Sequence, residues 1–284
     1  MGTSQSSNGS PPGTPMVPPW VPDIPLPDKP NSGDGNDNGK DEDSPNQSNK
    51  PNQPEKHRIA PPARFGGARR SIGDYARSGD QSKMRKGLGQ YVKKGYGGSK
   101  TATQRLGGTA QKASLLYSAL APTAENQYAT ESGPLHPNSL AGKTAFEVMD
   151  IIVEAICPVD GTQDTEASRY SVKDALSEVL DQYPDADLNN LTEQQRDLAL
   201  ERFVAGDVFR RIDLDLGKNI RDNAPNYSAA ASRLKEIRNY VRQTVSSSFK
   251  KMRSLGQVLS QKAVLGVVQN AIRETMEVFE GYAE

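Results

Sequence analysis

The chain has 284 residues, of which 34% are hydrophobic and 25% charged, with one cysteine and 35 basic residues against 35 acidic ones; its mean hydropathy is -0.72. That is too polar for a chain packed throughout, and a lone cysteine, Cys157, excludes an internal disulfide. The longest apolar stretch, 145–156, is interrupted by Glu147, Asp150 and Glu154 and is too short to span a bilayer.

The balanced total hides three blocks: residues 1–57 carry 4 basic and 8 acidic groups, 58–112 carry 13 and 2, and 113–284 carry 18 and 25. An electropositive segment between two acidic ones favours either an anionic partner or pairing with the chain's own acidic surface.

Residues 1–57 read as a disordered arm with a substrate-like N-terminus. Residues 8–56 in particular are a Pro-punctuated polar tract whose burial cannot offset the entropy of ordering it. No charged n-region followed by an apolar h-region opens the chain, so a cytoplasmic location is expected. The opening Met1-Gly2-Thr3-Ser4-Gln5-Ser6 fits the N-myristoylation pattern once Met1 is lost. A single acyl chain needs a basic patch beside it, which the arm lacks, so no membrane partner is expected. The freed Gly2 amine has another use. Its pKa of about 7.7–8 leaves much of it nucleophilic at neutral pH, and the first competing lysine is Lys29. Met16 to Pro22 is an apolar island of polyproline character that holds the only tryptophan, Trp20. It reads as a docking peptide or as a chance apolar patch.

Residues 58–122 form a basic, Gly-rich, partly helical segment with Phe65, Tyr75, Tyr91 and Tyr96 spaced through it; Thr101 to Leu120 is its best helix candidate. Arg69, Arg70, Lys93 and Lys94 here, with Arg238 and Arg242 farther on, are the candidates for anion binding. Cations interleaved with aromatic rings can track a phosphate backbone, so nucleic acid is a possible partner. A solvated face or an acidic protein partner accounts for the same charges.

Residues 123–143 read as a loop and 144–284 as a helical domain. Its first helix starts at a capping box, Thr144 with Glu147, carries Phe146, Met149, Ile152 and Ile156 as its stripe, and stops before Pro158. The second runs from about 165 to 183. The third opens on Thr192-Glu193-Gln194-Gln195 and continues to about 222, with Gly206 as an expected bend. The fourth spans about 228–253 and the fifth about 257–279. No strand alternation competes with these periods. The expected fold class is all-α, a C-terminal helical bundle preceded by the arm and the basic segment.

Signals for catalysis are weak. His57 and His136 sit in flexible, Pro-containing sequence, and Cys157 ends an apolar stripe, where a buried inert thiol is expected. Lys94 to Thr101 lacks the glycines of a phosphate loop, and Gly87-Leu88-Gly89 lacks the third dinucleotide glycine. Asp185 to Asn190 imitates a calcium loop, but Asn190 and Arg196 stand where Gly and Glu are needed. No metal site, no cofactor and no catalytic residue are expected.

Taken in order, Met1 to Ser7, Met16-Val17-Pro18-Pro19-Trp20, Arg64-Phe65-Gly66, Gly87 to Val92, Pro158 to Asp164, Tyr183 to Asp187 and Asp213 to Lys218 closely resemble the QatB family. The resemblance covers nearly all of the chain outside 28–56. It implies a non-catalytic component of the Qat anti-phage defence system. Its partners would be a QueC-like enzyme, QatC, together with the ATPase QatA and the TatD-like nuclease QatD. QueC-type enzymes use ATP to activate a deazaguanine carboxyl for attack by an amine. On this reading Gly2 is the acceptor, and Thr3, Ser4, Gln5 and Ser6 are read in the enzyme's cleft. Trp20, Arg64, Phe65 and Gly66 are docking candidates, and a tether of about 50 residues gives a reach near 40 Å. An arm that merely solubilises the complex, a nucleic-acid-binding adaptor and a structural scaffold for the ATPase and nuclease stand as alternatives.

Overall fold

A computed structural model describes residues 15–19, 21–27, 59–122, 126–130 and 133–283. The fold is all-α, and the only β feature among these residues is an isolated bridge between Pro15 and Ile59.

The basic segment is built as helices. α1 (Gly66–Ser78) and α2 (Gln81–Gln90) form an antiparallel hairpin, and α2 runs into a π-helical turn at Tyr91–Gly95. Gly79, in the left-handed region at φ 74°, ends α1 and donates its N–H to Tyr75 O at 2.7 Å. The other glycines, which read as helix breakers in the sequence, instead permit close packing. A Cβ on Gly87 would lie 2.6 Å from Ile72 Cγ1, and one on Gly95 would lie 2.5 Å from the Phe65 ring. The candidate helix at 101–120 is two helices, α3 (Ser99–Arg105) and α4 (Gly107–Ala119), broken at Leu106 where φ is -89° and ψ 12°.

After the one-turn α5 (Pro137–Leu140), α6 (Ala145–Ile156) starts at the expected box: Thr144 N donates to Glu147 Oε2 at 2.7 Å and Glu147 N to Thr144 Oγ1 at 3.3 Å. Its buried face is Val148, Met149, Ile152, Val153 and Ile156. Phe146, expected in that stripe, is 74% exposed: it sits in the first turn, at the edge of the buried face, where nothing covers it among the described residues. α7 (Gln163–Gln182) and α8 (Glu193–Ile212) follow, the latter capped by Thr192 and Gln195. The pitch of the third predicted helix changes at a second π turn, Asp213–Gly217, before α9 (Lys218–Asn223). Gly206 is not a bend; it lies in α8 against Ser171, where a Cβ would meet ordinary contacts at 3.5 Å. α10 (Tyr227–Ser254) matches its predicted span, but α11 (Val264–Glu280) begins seven residues later than expected, because Gly256 at φ 78° turns the chain out of helix.

A single buried cluster runs from Phe65 to Phe279 and draws on every long helix. The boundary expected between a basic segment ending at 122 and a domain starting at 144 therefore does not divide the core. Tyr75, Ile72, Leu88 and Leu116 are as fully buried as Phe203 or Phe249. The loop between them is pinned too: Leu135 and Leu140 are buried, and the Asn126 amide donates to Ala119 O at 2.7 Å.

A test of the packing role of glycine is Gly95→Val. It forces the Phe65 ring to move, and urea unfolding is expected to show a loss of about 1–3 kcal/mol. The exposed, left-handed Gly142 has nothing within 4 Å of a built Cβ, so Gly142→Asn serves as a control with a change of about 0.5 kcal/mol or less.

Candidate functional site

The Arg64-Phe65-Gly66 string opens α1 and lies over the first π turn. Phe65 is buried, its ring centroid 5.4 Å from Tyr91 and 5.6 Å from Tyr96, and the two tyrosine rings meet edge-on at 5.0 Å. Phe65 is thus a core residue and not the docking side chain expected of it. Arg64 holds its guanidinium 4.6 Å from the Phe65 centroid and 5.5 Å from that of Tyr96. Gly66 is exposed at the start of α1.

Beneath the rings, Tyr91 and Tyr96 each donate a hydroxyl hydrogen bond of 2.9 Å to Asp215 Oδ2 in the second π turn. Burial raises the Asp215 carboxyl above the usual carboxylate range, against the opposing pull of those two bonds and of Arg105 and Arg64. Burial likewise raises the tyrosine hydroxyls, with Asp215 adding to it, so they stay protonated donors. Arg105 donates to Asp164 at 2.6 Å, and Arg211 also pairs with that carboxylate. Burial pushes Asp164 upward, but Arg211 and Arg105 outweigh it and hold the group below its ordinary value. Asp207, fully buried, accepts from Thr109 and from Ser168, the latter at 2.9 Å. These polar groups bind elements of the chain to one another. No sequence signal marked Asp207 or Asp215 as buried, since each stands in a run that reads as an exposed helical face.

The candidate anion-binding cations separate into two sets. Arg238 pairs with Asp174 at 3.0 Å and Arg242 with Glu178 at 2.7 Å, so both serve the chain's own acidic helix α7. Arg69 reaches the backbone, donating to Asp215 O at 3.5 Å. Arg70, Lys93 and Lys94 are exposed and meet no carboxylate among the described residues. The aromatic residues interleaved with them, Phe65, Tyr75, Tyr91 and Tyr96, are all buried, so none of these rings is available to stack on a base.

Part of the arm lies on the body. Met16 and Val21 are buried, Pro15 bridges Ile59, and Arg273 of α11 donates to Pro27 O at 2.6 Å. Val21 N donates to Pro18 O and Ile24 N to Pro22 O, both at 3.0 Å. The strap crosses the start of α4, where Gly107 makes room: a Cβ there would stand 3.2 Å from Pro22 O and 3.7 Å from Val21 Cγ1. The apolar island therefore has a dock, and it is this chain's own surface. The uniform tether expected over 8–56 does not hold for 15–19 and 21–27. Gly2, Thr3, Ser4, Gln5, Ser6 and Trp20 lie outside the described residues.

Cys157 is buried and its thiol is pushed up to about 11 by that burial. His136 accepts from Asn138 N at a helix start, and His57 is outside the described residues. No group of three or more potential metal ligands occurs among the described residues, and no helix there is long and apolar enough to cross a membrane. The Asp-rich turn closes on itself through Asn189 N and Asp187 Oδ1 at 3.0 Å and lines one side of an open cavity of about 530 Å³ with Leu135 and Leu140.

Removing the Asp215 carboxylate tests the link between the π turns. Asp215→Ala removes the acceptor shared by two buried hydroxyls, leaving them only each other at 3.3 Å, and should cost about 2–4 kcal/mol, whereas Asp215→Asn keeps an acceptor and costs less. Because the folded-state pKa is raised, the native protein holds its proton more tightly than the unfolded chain. Wild-type stability from this group therefore falls as pH rises above the ordinary value of about 3.9. The deficit of Asp215→Asn should accordingly shrink between pH 4 and pH 7 in denaturation curves.

Residues 97–279 match the protein family described as QatB, Qat anti-phage system associated protein QatB. Neither the curated proteins nor the solved structures contain a match.

Proposed function

The chain belongs to the QatB family of Qat anti-phage system associated proteins, and from that premise we propose that it is the non-catalytic component that binds the system's QueC-like enzyme, QatC, and presents Gly2 to it. The observation that carries the reading is the seated strap: with Met16 and Val21 buried on the body, the N-terminal end departs from a fixed place. Gly2 precedes Pro15 by thirteen positions, so the amine lies no farther than about 45 Å from that anchor, and near 20 Å if the intervening chain is a coil. The reach is set by this short length and not by a tether of some fifty residues.

On this reading the α-amine left at Gly2 after loss of Met1 attacks the deazaguanine carboxyl carbon that the partner has activated with ATP. A C–N amide bond forms, the C–O bond to the activating phosphate breaks, and the amine gives up its proton. Thr3, Ser4, Gln5 and Ser6 are read in the cleft as the acceptor's context. Lys29, the first rival amine, lies beyond the strap in sequence. The body supplies docking surface and no chemistry, in keeping with its single buried thiol.

Intact mass and N-terminal peptide mapping, with and without the QueC-like partner, test the acceptor role. The expected outcome is a partner-dependent mass increase on Gly2 that Gly2→Pro abolishes. An unmodified Gly2 in a stable complex overturns it and leaves a scaffold for the ATPase and nuclease. A second experiment locks the strap through Pro15→Cys with Ile59→Cys, the two residues of the antiparallel bridge, whose backbones are within disulfide range; buried Cys157 does not compete. The oxidised, locked chain should be modified as fully as the reduced one. Modification lost on oxidation and restored by reductant would mean that the strap must leave its seat first.

A further inference from the structure

Many of the chain's arginines are matched to carboxylates, and four cations that are not lie close together in sequence on the first hairpin and its π turn. Arg210 and Arg238 share Asp174, Arg202 and Arg242 share Glu178, Lys251 meets Glu274, and Arg253 approaches Asp197 and Glu201. By contrast Arg70, Lys86, Lys93 and Lys94 are exposed and have no ion pair or hydrogen bond among the described residues.

These four surround a single contact between α1 and α2. Ser71 Oγ donates to Gln90 Oε1 at 3.2 Å, and a Cβ on Gly67 would come within 2.9 Å of the same oxygen. Arg70 precedes Ser71, Lys86 lies one turn before Gln90, and Lys93 and Lys94 lie one turn after it. The π turn keeps Tyr91, Val92, Gly95 and Tyr96 inward and so directs Lys93 and Lys94 to solvent. Helical rise spaces Lys86 from Lys94 by roughly 10–12 Å, close to the major-groove width of about 12 Å across which two phosphate rows face each other.

We infer that this face binds the phosphate backbone of a nucleic-acid duplex without reading its sequence. A duplex is favoured over single strands because Phe65, Tyr75, Tyr91 and Tyr96 are buried and cannot stack on bases. It is favoured over an acidic protein because a protein interface needs an apolar centre, and none of the exposed large hydrophobic residues belongs to α1, α2 or α3. Gln90, whose amide suits adenine, is held by Ser71. The acidic remainder of the chain, with 18 basic and 25 acidic residues over 113–284, repels phosphate and confines it to this side. The inference is independent of the role of Gly2.

Fluorescence anisotropy of the full chain with a labelled random-sequence 25-base-pair duplex is the test. Four neutralised phosphates predict an affinity that falls about a hundredfold between 50 and 200 mM salt. Arg70→Gln combined with Lys86→Gln, Lys93→Gln and Lys94→Gln should abolish binding at 50 mM while leaving the helical circular dichroism unchanged. Arg238→Gln with Arg242→Gln should leave binding within about twofold, since those charges are already paired. Absence of duplex binding at 50 mM salt overturns the inference, as does binding that resists the quadruple substitution. So does preference for single strands, or for polyglutamate over the duplex.

Discussion

Asp215 joins the two halves of the molecule, and the geometry around it follows from what a carboxylate needs when water is taken away. Its Oδ2 accepts from Tyr91 and Tyr96, which lie 119 residues or more away in sequence, and those tyrosines pack against Phe65 at the root of α1, the first stacked and the second edge-on. An ordinary α-helical register on either side would rotate one partner out of reach. Both segments instead widen into π turns, at Tyr91–Gly95 and Asp213–Gly217, at the point where they meet. π turns are rare and concentrate where a side chain must be aimed. Here two of them aim donors and acceptor at each other, and Gly95 leaves space for the Phe65 ring.

The same economy of charge extends across the surface. Asp174 and Glu178 stand one turn apart on α7, and each bridges one arginine of α8 to one of α10: Arg210 and Arg238 for the first, Arg202 and Arg242 for the second. The two α10 arginines reach a helix whose backbone is not packed on theirs, whereas α7 and α8 are direct neighbours. Each exposed pair is worth little alone, but a shared carboxylate restricts both arginines and fixes how α10 lies relative to α7. The acidic block of the sequence is therefore spent largely on the cations of its own helices. The basic block has no such supply, having only Asp74 and Asp80 within it, and Asp80 is used to cap α2. That imbalance leaves Arg70, Lys86, Lys93 and Lys94 facing solvent.

Long helices with side-chain caps were legible in the sequence: Thr144 and Thr192 mark their starts, and in the structure Val204, Val208, Ile212, Leu216 and Ile220 stay buried through the change of pitch. The basic segment was not legible because glycine has two opposite meanings. Eleven glycines between 58 and 108 read as breakers, yet Gly87 and Gly95 sit inside helical turns because another side chain occupies the space of their Cβ. Composition records the residue and not the neighbour. Phe146 shows the converse error, an apolar residue at a plausible helical position that the packing leaves exposed. Of the site, the cations were visible but their partners were not, since ion pairs between α7 and α10 join residues 64 positions apart.

The seated strap explains why a proline-rich arm need not be free along its length. Ordering a residue costs about 1–2 kcal/mol of backbone entropy, which a strap with two buried apolar side chains could not offset if its residues were ordinary. Six of the thirteen residues from Pro15 to Pro27 are prolines, already restricted in φ before docking, so little freedom remains to be lost. Proline also lacks the N–H that would otherwise need a partner, which lets an extended segment lie on a helical surface with few hydrogen bonds. The receiving side reciprocates: Gly107 removes the Cβ that would hold Pro22 away, and Arg273 satisfies the carbonyl of Pro27 where the strap leaves the body. The arm is thereby divided by chemistry into a seated strap and an end whose distance from the body is bounded by thirteen residues of chain.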